Sequence, residues 1–275
     1  MKLFMSGLRK LVRRQATWLT FGLLAGLLVL IVVAVGATSD RPGASEAERA
    51  AALSLVTFPG AYDQILSFIL GLGGLFAVIF GAAIAGSEWT WGTLKNAVAR
   101  GQSRSYYTLV SFASIAFVIA IGLVVTFAIG VIAALFGANL AGTSTAGLTD
   151  STTLARLPEQ FARGWLAIIM EGAIGFTVAT LARSQLAGIG AGIGLYFASN
   201  FAAIFLPDIV KYLPFSVATA SVATGAASGA GFGRGGGGFQ VAALDANTAL
   251  VLVVVWLIGA LAVAAVFTER AEISG

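Results

Sequence analysis

The segment Trp18–Gly36, WLTFGLLAGLLVLIVVAVG, carries no charged residue and no proline. As a helix rising 1.5 Å per residue it is about as long as the hydrocarbon core of a bilayer is thick, roughly 30 Å. Five more apolar runs follow, over 65–85, 107–136, 165–181, 186–206 and 249–267. The run over 107–136 is long enough to need tilt or to protrude. Across all 275 residues the chain is 58% hydrophobic and 10% charged, whereas a soluble domain carries about a quarter charged residues. The expected fold is therefore an all-α integral membrane protein with six transmembrane helices, forming one domain over 1–275.

Ahead of the first run, Lys2, Arg9, Lys10, Arg13 and Arg14 are interleaved with Leu3, Phe4, Leu8, Leu11 and Val12. That pattern predicts an amphipathic helix lying on anionic headgroups. A cleaved signal peptide is the alternative, but its apolar region normally runs about 7 to 15 residues, so the first span is read as retained. Polar segments over 38–62 and 139–160 read as external loops, the first with a short helix near 45–55. Pro207, Pro214 and the Gly231–Gly238 tract break the stretch 207–245, which reads as an external re-entrant or surface segment. The short turn 182–185 makes the fourth and fifth spans an antiparallel pair.

Ten Lys and Arg residues fall on the side of the N-terminus, the 87–104 segment, the turn and the tail, against six in the longer opposite loops. The denser side is the cytoplasm by the positive-inside rule, so both termini are expected there. The net charge of +4 is thus an orientation signal, and no nucleic-acid partner is expected. The chain has no Cys and no His, which removes the commonest metal ligands and the commonest general base. No metal site, catalytic residue or cofactor is expected in this chain. No Gly-x-x-x-x-Gly-Lys-Ser/Thr sequence is present to cradle nucleotide phosphates, and the glycine tract around Arg234 reads as a loop.

The most informative segment after the spans is Ser87–Arg104, SEWTWGTLKNAVARGQSR. Ser87 suits an N-cap, Glu88 the positive end of a helix, and Gly101 a left-handed terminus, so one short helix is expected over about 87–100. Trp91, Leu94 and Val98 share one face of it and Lys95 and Arg100 the other. On physics alone an ordinary anchoring loop with interfacial tryptophans reads equally well. The block Glu-Trp-x-x-Gly-Thr-Leu-Lys, followed by a short apolar stretch and Ser-Arg after a second span, resembles the cytoplasmic loop of type-2 ABC transporter permeases. Those are the membrane subunits of bacterial and archaeal exporters. The basic N-terminal helix, six spans, the Arg183-Ser184-Gln185 turn and Tyr212–Phe215 extend the likeness, although Gly101 stands where many members have Pro.

The resemblance implies that this loop is a coupling helix docking on a separate ATPase, with Glu88, Trp89, Trp91, Gly92, Thr93, Leu94, Arg100 and Arg104 at the coupling positions. It implies two ATPase subunits carrying ATP and Mg, a second permease copy or homologue, and residence in the bacterial or archaeal cell membrane. Within the spans, Glu171 is the one carboxylate, about six residues or ~9 Å of helix beyond Trp165. A carboxylate there is a functional candidate by default, with Arg163, Asn200 or Gln185 as structural partners on the other reading. Glu171, Phe76, Tyr196 and Asn200 are the candidate pathway residues. Glycines at 71, 74 and 81 and at 188, 190, 192 and 194 suit close helix packing. The competing function is a non-transporting membrane scaffold. An intramembrane enzyme built on Glu171 lacks a second catalytic group.

Overall fold

The computed structural model describes residues 2–38, 45–222 and 244–271. Among the described residues the chain is helical with no strand, and six helices are long and apolar enough to cross a membrane. In order these are α1 (Lys2–Arg13), α2 (Gln15–Thr38), α3 (Glu46–Ser54), α4 (Gly60–Thr90), α5 (Thr93–Ala99), α6 (Arg104–Leu140), α7 (Ser151–Ala182), α8 (Gln185–Phe205), α9 (Pro207–Val210), α10 (Pro214–Ser221) and α11 (Ala246–Arg270). The six long ones are α2, α4, α6, α7, α8 and α11. Five of them run past the apolar segments that mark them at both ends, because a helix continues through polar residues until a cap or a left-handed turn stops it, while α8 matches its segment to within one residue.

α7 is the clearest case. It begins at Ser151, where Asp150 caps it by accepting from the Thr153 N–H at 2.9 Å, and it passes through Pro158. The external loop read over 139–160 is therefore partly helix. Its other end is set by Arg183 at φ 51°, after which the Ser184 hydroxyl caps α8 by accepting from the Ala187 N–H. α3 occupies the first loop, and α9 and α10 lie in the segment after α8. The Gly231–Gly238 tract with Arg234 lies outside the described residues.

α4 is the centre of the bundle, packed along its length on α7 and also against α8, α6 and α2. Backbone contact is what makes this possible. A Cβ on Gly81 would collide with the Gly172 carbonyl of α7, and one on Gly175 with the Val78 carbonyl of α4. In lipid, such close approach of small residues holds helices together, since apolar burial alone gives no preference for helix over lipid. α2 crosses α6 in the same way, at Gly36 and Gly137. Of the α8 glycines, Gly188 and Gly192 face Ala179 and Val78, while Gly190 and Gly194 have nothing within 4 Å. Phe68, Phe80, Ile65, Leu66, Ile115 and Met170 fill the interior. The outer faces of α2, α8 and α11 expose Leu19, Leu30, Phe201, Val251 and Ile258, an apolar exterior compatible with a multi-pass membrane protein.

Arg163 of α7 fastens the far end of α10 and the start of α11. Its guanidinium donates to the Ser221 and Ala246 carbonyls at 3.3 and 3.4 Å and to Asn247 Oδ1 at 2.8 Å, and it pairs with Glu159. Arg163→Ala is expected to cost about 1–2 kcal/mol in thermal unfolding. Arg163→Lys should restore little, because an ammonium lacks the planar fork. Equal stability of all three proteins would refute this role.

Candidate functional site

α4 spans 31 residues, about 46 Å at the usual rise, so its last turn projects past the point where a span needs to end. That turn contains Ser87, Glu88 and Trp89. The helix stops at Gly92, whose φ of 62° is left-handed and comfortable only for glycine. α5 then starts at Thr93, Gly101 turns the chain again at φ 80°, and Ser103 caps α6 by accepting from the Tyr106 N–H. The single helix expected over 87–100 is thus two pieces with an elbow at Gly92. Ser87 is no cap. No residue from Ala85 to Thr90 breaks a helix, so α4 runs through it, and its hydroxyl donates to the Ile84 carbonyl at 2.8 Å.

Glu88 is 6% exposed and is the hub of this end of the molecule. Lys10 of α1 donates to one carboxylate oxygen. Thr93 of α5 and Tyr107 of α6 donate to the other, Tyr107 at 2.5 Å. Beside it, Arg14 Nη1 donates to Ser87 Oγ at 2.8 Å and the guanidinium lies 4.9 Å from the centre of the Trp91 ring. Burial lowers the pKa of Arg14 from its ordinary value, and the charge of Glu88 opposes that shift. One carboxylate therefore joins α1, α4, α5 and α6.

The other residues at the expected coupling positions divide between inward and outward faces. Trp89 packs on Phe267 of α11, and Arg183 lies 5.2 Å over its ring. Arg104 donates to the Ala271 carbonyl at 2.6 Å, and Glu269 accepts from the Ser105 N–H at 3.1 Å, holding the end of α11 to the start of α6. Leu94 is 4% exposed and Ala97 is also buried. Trp91, at 63% exposure, faces outward with Lys95, Asn96 and Arg100. The face read as Trp91, Leu94 and Val98 is therefore split, because the elbow rotates Trp91 away from Leu94. α1, α5 and the end of α11 lie together at this end of the bundle.

The second candidate lies inside. Glu171 of α7 is 2% exposed and sits against Gly74, the middle of α4, where a Cβ would collide with the carboxyl group. It is deeper than its distance from Trp165 implied, since α7 begins fourteen residues before Trp165 and the indole N–H bonds to the Ala116 carbonyl of α6. Tyr196 of α8 lies within electrostatic reach of Glu171 and donates to the Gly71 carbonyl at 2.8 Å. The expected partners are elsewhere. Arg163 is engaged one end away, and Gln185 backs onto Gly86. The side chain of Asn200 lies outside the described residues. Phe76 is not in this group, because it faces the opposite side of α4 and lines a small apolar cleft with Phe21, Phe80 and Ile119.

A family described as protein of unknown function, DUF2705, matches residues 47–264. The chain belongs to that family. No curated protein matches the chain. The stretch shared with DUF2705 runs from α3 into α11 and contains the elbow, Glu88 and Glu171, whereas α1 with Lys10, and Arg14 directly after it, precede that stretch. Lys10 and Arg14 were expected on the lipid headgroups and not in this site, and Tyr107 and Glu269 were not expected in it either. The available signal for Lys10 and Arg14 was a basic helix in a chain whose 87–104 segment carries one carboxylate, Glu88, in need of a cation.

Proposed function

We propose that this chain is the membrane-spanning permease subunit of an ATP-driven exporter, with both ends in the cytoplasm. The observation that carries the reading is the elbow at Gly92. A long membrane helix ends in a short helix set by a left-handed glycine, anchored from within by Glu88 and presenting Trp91, Lys95 and Arg100 outward. An element anchored at its root and exposed at its face suits a part that passes force from a partner to the spans. The partner is an ATPase subunit carrying ATP and Mg, two per complex, working with two permeases. The α4–α7–α8 region around Glu171 and Tyr196 is the proposed pathway, and its apolar walls favour an apolar or amphipathic cargo.

Mass spectrometry of the intact chain purified from its native membrane should find an ATPase with a phosphate-binding loop in stoichiometric amount. Trp91→Ala, which removes an exposed ring and a cation–π contact of about 0.5–1 kcal/mol, should leave the fold intact and lose the ATPase. Leu94→Ala should instead lower stability by about 2–3 kcal/mol, because Leu94 is buried on the inward face of α5. An ATPase-free wild-type chain would overturn the exporter reading, and an ATPase held equally by Trp91→Ala would overturn the docking face.

A further inference from the structure

Glu171 has a combination of surroundings that an ionised carboxylate does not tolerate. It is 2% exposed, it lies beside the close backbone contacts of α4 with α7, and its carboxyl group occupies the space that a side chain on Gly74 would take. Among the described residues no hydrogen-bond donor to it is found. The elements packed against α7 offer no countercharge near it. α4 carries charge only at its ends, at Asp63 and Glu88, α6 only at Arg104, and α11 only at Glu269 and Arg270, while α8 and α10 carry none. Tyr196 of α8 is the titratable group close by, and its hydroxyl proton is committed to the Gly71 carbonyl. An unpaired charge in such a place costs several kcal/mol, and a neutral acid avoids that cost.

We infer that Glu171 is a proton-binding site, and that the close contact of α4 with α7 at Gly74 is the proton-loaded state of the bundle. Loss of the proton then requires water or a cation to reach the carboxylate. The carboxyl group itself fills the gap that Gly74 leaves between the helices, so that access comes as the two helices part. Proton release and opening of the α4–α7 contact are one event.

Two measurements test this on the full chain in lipid nanodiscs. Infrared difference spectra between wild type and Glu171→Gln at neutral pH should contain the carbonyl band of a protonated carboxyl, absent from the variant. Glu171→Asp serves if the Gln variant fails to fold, with the band displaced. The chain lacks cysteine, so a cysteine pair at Ala77 and Gly172, with Cβ positions 3.7 Å apart, reports the contact by disulfide formation. Its yield relative to the same pair in Glu171→Gln should stay constant while the acid band persists and should be lost where rising pH removes the band. Thiol ionisation is common to both proteins and cancels. Carboxylate bands at neutral pH, or a yield ratio unchanged after the acid band has gone, would overturn the inference.

Discussion

Glu88→Ala is expected to release α1 from the bundle and to lower the unfolding free energy by about 2–3 kcal/mol. Breaking a buried ion pair by removing one partner costs about 3–5 kcal/mol. The lower figure applies because the Lys10 side chain is 33% exposed and recovers part of its hydration. Besides the Lys10 pair, the substitution removes the acceptor of the Thr93 and Tyr107 hydroxyls, each of which must then find water. Glu88→Gln keeps an acceptor without the charge and should fall between wild type and Glu88→Ala. Limited trypsin digestion reports the release directly, through faster cutting at Arg9 and Arg13. A double-mutant cycle with Lys10→Met should return a coupling energy of about 1 kcal/mol or more. Unchanged cutting and unchanged stability would show that the four helices do not depend on this carboxylate.

The second large effect belongs to the α4–α7 contact. Gly175→Leu places a side chain where the Val78 carbonyl already stands. The obstruction is backbone, not the movable end of a side chain, so one helix must shift. Overpacking of this kind costs about 1–3 kcal/mol, occasionally more, and a backbone contact at the bundle's centre belongs at the upper end. The expected result is a chain that inserts but loses its thermal transition, or unfolds at least about 3 kcal/mol more readily. Gly190→Ala and Gly194→Ala are the controls. Both have open space around them, so replacing a helical glycine should be neutral or stabilising by up to about 1 kcal/mol. If all three variants behave alike, the glycines do not act through close approach.

How much of this was legible in the sequence follows from what each feature depends on. The six long helices are evident because an apolar run of bilayer length has few other uses. Their ends are not, because hydropathy ends where the lipid-like segment ends, while α7 continues over Ser151–Gly164 on the strength of its Asp150 cap. The elbow shows the same difference on a smaller scale. Ser87 has the chemistry of a cap, yet nothing around it interrupts α4, and Gly92 is the residue whose conformation makes the break.

The candidate residues divide likewise. Glu88 and Glu171 stand out as carboxylates in apolar or basic surroundings, so their importance was readable from composition. Their partners were not. Lys10 is 78 positions from Glu88, and the pairing exists only once α1 lies against α6 through Gly7, Ser114 and Leu11. Glu171 met no expected partner, because Arg163 on the same helix is eight residues away, about 12 Å along the axis, and is drawn to α10 and α11. Phe76 was grouped with Tyr196 by type, but only two positions separate it from Gly74, which puts the two residues on opposite sides of α4.

The joint at Glu88 makes the first helix a built-in sensor. α5 and α1 hold the same carboxylate, so a displacement of α5 is expected to reach α1. The exposed Met5 and Arg9 on α1 then offer places for a fluorophore. Because the chain contains no native cysteine, one introduced thiol there would give a background-free optical signal for events at the elbow.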